Sequence, residues 1–254
     1  MDFPVFAAIV FLFFLTAMVY SSVGFGGGST YLAFLVLFGF SYLSIPKIAL
    51  ICNLIVVSGG TYHYIRAKQF SFRHVLPFIV FSIPSAFFGG SIVINKSTFL
   101  FLLASSLLVA GLCLFFLKRE ERGEKEISWK MALGIGLPAG ACLGFLSGLV
   151  GIGGGIFLSP LLYFLRWGRA QTIAASASFF ILVNSLFGLA GQWTKGISFP
   201  EGKMIFFFAL AVLIGGQIGS FLSVKKFRPI YLQRITAVLV LLVSIRIFWM
   251  LFYA

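Results

Sequence analysis

The sequence is poor in acidic residues and in charge of any kind. Only six of its 254 residues are Asp or Glu, and ten per cent are charged, whereas about 25% of residues in soluble domains are charged. The acids stand at one end of the chain or in polar breaks, at Asp2, Glu120, Glu121, Glu124, Glu126 and Glu201. This distribution excludes an ordinary soluble domain, and it leaves no carboxylate inside an apolar run to act as a membrane proton relay.

Cysteine and histidine are also scarce. The three cysteines, Cys52, Cys113 and Cys142, lie in apolar runs without metal-ligand spacing, which is typical of packing residues. The two histidines have no neighbouring carboxylate to build a hydrolase site, and the chain has no Walker motif. We therefore expect a protein that is not an enzyme and that uses no metal and no cofactor.

Apolar residues dominate the chain instead. They make up 60% of it, and the mean hydropathy is +1.08. Ten apolar segments fall at 4–22, 29–43, 46–65, 74–94, 98–117, 130–149, 156–166, 171–193, 203–223 and 231–252. The runs do not alternate as barrel strands do, so the sequence predicts an all-α integral membrane protein.

Two glycine-rich stretches divide the chain into similar halves. Gly24–Gly28 reads GFGGG and Gly151–Gly155 reads GIGGG, 127 residues later; we call them the first and second glycine turns. At the same offset Ser58 matches Ser185. The pattern predicts two repeats of five segments, 1–117 and 130–254, joined by a polar linker at 118–129.

The basic residues predict the orientation of the segments. Of 19 Lys and Arg residues, 14 lie in the connections that follow odd-numbered segments. The positive-inside rule places those connections in the cytoplasm and both termini outside, in a multi-pass protein of the cytoplasmic membrane. The net charge of +13 is then explained by topology, without a nucleic-acid partner.

An odd number of segments in each repeat makes the second half enter from the opposite face. Inverted repeats of this kind are typical of secondary transporters, whose sites lie at broken helices near the midplane. The second and seventh segments are short for a full span. They favour re-entrant hairpins that meet tip to tip, although the sequence leaves full spans open for segments 1–2 and 6–7.

The glycine turns are the predicted binding site. A helix that begins after bare glycine backbone presents unpaired N–H groups and partial positive charge, which suit an anion. The candidate ligands are Gly26, Gly27, Gly28, Ser29, Gly153, Gly154 and Gly155, together with the polar residues Ser58, Ser185, Asn184 and Gln217. His63 is a candidate for proton coupling. For Asn53, a hydrogen bond between helices and a contact with the ligand are equally well supported. The alternative role of the glycines is to permit close packing of the helices alone.

The residues around the second glycine turn resemble a known family. Gly144–Pro160, GFLSGLVGIGGGIFLSP, is similar to the signature of the TauE/SafE sulfite and organosulfonate permeases. The first copy departs from it, with Ala33 where the second has Pro160. The resemblance implies a transporter of sulfite, organosulfonates or thiosulfate, held in the lipid bilayer, with a passive anion channel as the alternative. It leaves open the direction, a coupling ion (H⁺ or Na⁺) and a homodimer.

Overall fold

A computed structural model describes residues 3–116, 128–196, 202–224 and 230–253, and these ranges contain helices but no strand. The helices are α1 (Phe3–Ser21), α2 (Gly28–Leu37), α3 (Ile45–Arg66), α4 (Phe72–Ser91), α5 (Lys96–Phe116), α6 (Trp129–Val150), α7 (Gly155–Phe164), α8 (Ala170–Trp193), α9 (Gly202–Val224) and α10 (Ile230–Tyr253). Each apolar segment of the sequence became one helix. The predicted all-α membrane fold is confirmed.

The helices differ in whether they are long enough to cross a membrane. Among the described residues, seven helices are long and apolar enough to do so, namely α1, α3, α4, α5, α6, α8 and α9. By contrast α2 and α7 have ten residues each, or about 15 Å at 1.5 Å per residue. That is half of an apolar bilayer core of about 30 Å, so neither helix is long enough to span it.

The helix contacts have the same pattern in both halves. Helix α4 packs against α6 and α8, and α9 packs correspondingly against α1 and α3. Likewise α5 contacts α7, α10 contacts α2, and the two pairs α3–α8 and α5–α10 join equivalent helices. The halves are thus interleaved rather than side by side. Most of the polar linker predicted between them, 118–127, lies outside the described residues.

The densest packing uses small residues of α6. Four glycines spaced four apart line one face of this helix, at Gly136, Gly140, Gly144 and Gly148, and all four contact α4. A Cβ on Gly140 or Gly148 would overlap the carbonyl oxygen of Phe78 or Ala86. Such small-residue faces let helix backbones approach closely in membranes. We call this glycine-lined contact between α6 and α4 the α6 seam. It holds the C-terminal end of α6 in place, where the second glycine turn begins.

Candidate functional site

The two glycine turns meet inside the protein. A Cβ on Gly28 would lie 2.6 Å from the carbonyl oxygen of Ile152, so the N-terminus of α2 touches the second turn. The flanking contacts are reciprocal: Gly24 lies against Ala174 near the start of α8, and Gly151 lies against Pro46 near the start of α3. Thr61 contacts Ser178 and Leu50 lies against Gly188, so α3 and α8 run antiparallel and the turns lie at opposite ends of this helix pair. All residues of both turns are buried.

Glycine is required at these turns by the backbone conformation. Gly27 and Gly154 directly precede α2 and α7 with φ of 90° and 76°, in the left-handed region, where other residues lose about 1–2 kcal/mol. The next amides, at Gly28 and Gly155, open the two helices. The first N–H groups of a helix have no partner within it, and they carry the positive end of its dipole. Both short helices thus begin, at buried turns that meet, with N–H groups that have no partner within the helix.

Asn53 lies between the two turns. This fully buried side chain of α3 donates from Nδ2 to the carbonyl oxygen of Ile152, over 3.3 Å. Its Oδ1 has no hydrogen-bond partner in the described structure. A Cβ on Gly26 or Gly28 would overlap its amide group. The candidate ligands chosen from the sequence do not include Asn53. The sequence feature that indicates it is an asparagine in the middle of an apolar span.

Hydroxyl groups surround the first turn. Tyr20, at the end of α1, places its hydroxyl 3.2 Å from Ser29 Oγ and 2.6 Å from Thr30 Oγ1. All three residues are buried. Ser29 is therefore at the turn as predicted, and its hydroxyl already shares a hydrogen bond with Tyr20. Ser147 stands before the second turn at the position that corresponds to Tyr20. It is buried, and its Oγ forms no hydrogen bond with the described residues.

Ser185 lies at the second turn, whereas Ser58 does not lie at the first. Ser185 is fully buried, its Oγ is 3.4 Å from the position of a Cβ on Gly153, and this oxygen lacks a hydrogen-bond partner in the described structure. The residue in the equivalent place is Val57, which lies against Gly26. Ser58 is exposed and donates to the carbonyl of Leu54 in its own helix.

The pairing of Ser58 with Ser185 as repeat equivalents is therefore wrong by one residue. Pro46 and Ala174, like Val57 and Ser185, are 128 residues apart rather than 127, so the second half has one more residue between its turn and these equivalent positions. One residue rotates a side chain by about 100° around a helix. Ser58 thus corresponds to Leu186, and both are exposed.

Asn184, Gln217 and His63 have hydrogen-bond partners other than the residues of the turns. Asn184 is fully buried, and its Nδ2 donates to the carbonyl of Phe180 in its own helix over 2.8 Å. Gln217 is exposed on α9, and its Oε1 lies 3.2 Å from Nε2 of His63. His63 is ten residues beyond Asn53 on α3, or about 15 Å along the axis. The structure brings His63 and Gln217 to each other, away from the glycine turns.

The donors gathered at the turns are neutral. They are backbone N–H groups, the amide of Asn53 and the hydroxyl of Ser185, in a region closed to solvent. Hydrogen bonds from such groups to a charged ligand contribute about 1.5–3 kcal/mol each. An arrangement of this kind can hold a small anion without a covalent step and release it again.

Comparison with known proteins identifies the relatives of the chain. Residues 9–247 match the family described as sulfite exporter TauE/SafE. The probable membrane transporter protein y4hK of Sinorhizobium fredii is 32% identical over 93% of this chain and 96% of its own. A probable membrane transporter protein of Methanocaldococcus jannaschii is 26% identical over 89% of this chain and 88% of its own. No solved structure matches the chain significantly.

Proposed function

The chain belongs to the TauE/SafE sulfite exporter family, and on that premise we propose that it carries small sulfur-containing anions across the cytoplasmic membrane as a secondary transporter. That it is a multi-pass membrane transporter of the TauE/SafE type follows from the family and its relatives. The substrate class, sulfite, an organosulfonate or a thiosulfate-like anion, is the proposed part. So are the cytoplasmic membrane and the placement of both termini outside.

The proposed binding site lies where the two glycine turns meet. The anion accepts hydrogen bonds from the first amides of α2 and α7, at Gly28–Ser29 and Gly155–Ile156, and from Ser185. Asn53 orients the two turns and offers its amide to the anion. The single observation that carries this proposal is the contact between Asn53 and both turns, because it brings two helix N-termini to one place.

Alternating access is supported by the reciprocal packing of the two halves. We propose that 1–117 and 130–254 are inverted repeats, so that each turn closes the path to one face. Both turns are buried, which suits the occluded state of a carrier better than the open path of a channel. If a proton is coupled to transport, His63 is the candidate residue that carries it, at its contact with Gln217 between α3 and α9.

Counterflow in proteoliposomes tests the proposed function. Vesicles preloaded with unlabelled sulfite take up labelled sulfite faster than empty vesicles if the protein is a carrier. Equal uptake in both would indicate a channel, and no uptake above protein-free vesicles would reject sulfite as a substrate. Thiosulfate, taurine, sulfate and small carboxylates as competitors define the substrate class.

A further inference from the structure

The side-chain carbonyl oxygen of Asn53 is a hydrogen-bond acceptor without a donor. The Ile152 carbonyl can only accept, so its hydrogen bond with Asn53 fixes which side of the amide is nitrogen. The oxygen Oδ1 then faces the first glycine turn, where a Cβ on Gly26 would overlap it. Asn53 is fully buried, and no described residue donates to this oxygen. A buried acceptor without a donor costs free energy, so the position calls for a donor that the described residues do not supply.

The other groups that we place at the central site are hydrogen-bond donors. The first amides of α2 and α7 have N–H groups without a partner in their helices, and the hydroxyl of Ser185 has no partner in the described structure. No residue of either turn is charged. A ligand that only accepts hydrogen bonds would satisfy these donors and leave Asn53 Oδ1 facing a negative charge. A ligand that also donates one hydrogen bond satisfies both kinds of group.

A cation would also satisfy an unpaired oxygen, but the surroundings of Asn53 oppose one. The helices α2 and α7 both begin at the turns, and each N-terminus carries the positive end of a helix dipole. Asn53 contacts both turns. The field that favours an anion there disfavours a metal ion. We therefore expect the missing donor to arrive with the anion itself.

We propose that the central site takes its substrate as a protonated monoanion, hydrogensulfite in its hydroxyl form, whose S–O–H group donates to Asn53 Oδ1. The inference rests on the proposed function and narrows its substrate. The remaining oxygens of the ligand accept from the first amides of α2 and α7 and from Ser185. The two turns are in contact in the described structure, so the anion lies between them when one turn moves aside. A monoanion also suits turns without a cation, because the cost of burying an ion grows with the square of its charge.

The proton then crosses the membrane on the substrate rather than on a side chain. Hydrogensulfite binds with its proton, leaves with it, and releases it to water on the far side. No covalent bond to the protein forms or breaks, and no protein group changes its protonation. A pH gradient can therefore drive net movement of sulfite without a titrating residue at the site.

The side chains at the first turn are consistent with this role of the ligand. Tyr20 contacts the start of α2, Tyr31 lies against Gly27, and Cys52 precedes Asn53. Phenol and thiol groups are uncharged at neutral pH. Helix α8 contains no titratable side chain. None of these groups supplies or takes up a proton near neutral pH.

Three protein groups farther along this helix pair can titrate and need to be separated from the ligand. Lys47 and His63 lie on α3, about 9 Å before and about 15 Å beyond Asn53 along its axis. Burial and the charge of Lys47 lower the pKa of Lys195, which follows α8, to about 8. Loss of this positive charge above that pH would also weaken anion binding. A decline in affinity at high pH therefore identifies the proton of the substrate only if it follows the acidity of the ligand.

Equilibrium binding of two ligands with different acidities makes this separation. Selenite has the shape of sulfite but keeps its last proton to a higher pH. Labelled sulfite and labelled selenite are titrated into the whole purified protein across the pH range in which both lose that proton. We expect the affinity for total ligand to be level at low pH and to fall about tenfold per pH unit above the ligand's own pKa. The decline for selenite should begin at the higher pH.

Two variants assign the effect to Asn53. In Asn53→Leu the preference for the protonated form should weaken, so the remaining affinity should fall less steeply with pH. In Ser185→Ala the affinity should drop by the same factor at every pH, and the decline should begin where it does in the unmodified protein. A full tenfold decline per pH unit in Asn53→Leu would overturn the role of Oδ1. If that variant does not fold, the comparison of the two ligands in the unmodified protein still decides.

The outcomes separate this inference from the proposed function. A decline at the same pH for both ligands would show that a protein group titrates, and an affinity that rises with pH would show that the dianion binds. Either result would overturn the protonated substrate and leave a transporter of sulfur-containing anions intact. Absence of binding of both ligands at every pH would reject the proposed function and this inference together.

Discussion

The amide nitrogen of Asn53 lies 3.3 Å from the carbonyl oxygen of Ile152, and this hydrogen bond joins a helix of one half to the glycine turn of the other. Both residues are buried. We therefore expect a displacement of α3 to displace the second turn, and a displacement of that turn to displace α3. The bond couples the two halves at the point where we place the substrate.

Replacing Asn53 with leucine tests this coupling. Leucine has a similar volume but leaves the Ile152 carbonyl without its donor, which should lower the free energy of unfolding by about 1–3 kcal/mol. It also removes an amide from the proposed site, so sulfite affinity should fall about tenfold or more. Thermal unfolding in detergent and equilibrium binding of labelled sulfite measure the two effects.

The matched control for this change is Asn184→Leu. Asn184 is equally buried and its Oδ1 also lacks a partner in the described structure, but its amide nitrogen donates within its own helix. We expect Asn184→Leu to lower stability and to leave sulfite affinity unchanged. If both asparagine variants bind sulfite like the unmodified protein, Asn53 holds the turns together without contacting the substrate.

Ser185→Ala tests whether the buried Ser185, rather than the exposed Ser58, contacts the anion. Ser185 Oγ forms no hydrogen bond with the described residues, so its removal should cost little stability. The loss of one hydrogen bond to the charged anion should weaken binding by about 1.5–3 kcal/mol, or more than tenfold. Ser58→Ala, at an exposed position, should bind sulfite normally. A weaker affinity in Ser58→Ala alone would contradict the register of α3 and α8 described above.

Gly154→Ala tests the backbone of the second turn. A Cβ there would lie 2.9 Å from the ring of Phe180, at a φ of 76°, so the turn must change shape. Gly39→Ala is the control, because Gly39 also has a positive φ, 74°, and has open space around it. Both variants carry strain of about 1–2 kcal/mol. Only Gly154→Ala should lose sulfite binding. Equal sulfite affinity in the two variants would show that the second turn serves helix packing and does not bind the anion.

The α6 seam is tested by Gly140→Ala. Its Cβ would overlap the carbonyl oxygen of Phe78 on α4, whereas a Cβ on Gly134 of the same helix meets nothing. Overpacking at such a contact costs about 1–3 kcal/mol. We therefore expect a lower melting temperature in detergent for Gly140→Ala and an unchanged or slightly higher one for Gly134→Ala. The reverse order would show that α6 and α4 pack on other faces.

The helices could be predicted from the sequence because each depends on a long apolar run. Even the short α2 and α7 were evident, since glycines precede both and their apolar runs are brief. The meeting of the turns followed from the same repeat. The sequence did not reveal which side chains of α3 and α8 face the turns, because a single additional residue between the second turn and Ala174 shifts the register of α8 relative to α3.

The binding site was predicted less completely for that reason. Ser58 appeared to be a partner of Ser185 at the offset of the glycines, but the helices that carry them follow an offset of 128. Asn53 has no polar counterpart at either offset, since Phe180 and Ile181 stand there. The sequence therefore predicts an interhelical contact and a ligand contact for Asn53 equally. Its role depends on contacts with the other half of the chain, which only the folded structure provides.

A crystal structure with selenite, the selenium analogue of sulfite, tests the central claim most directly. Anomalous scattering locates selenium without relying on the shape of the density. We predict a peak between the two glycine turns, within hydrogen-bonding distance of the first amides of α2 and α7 and of Ser185. Selenite bound at saturating concentration with no peak between the turns would contradict the account.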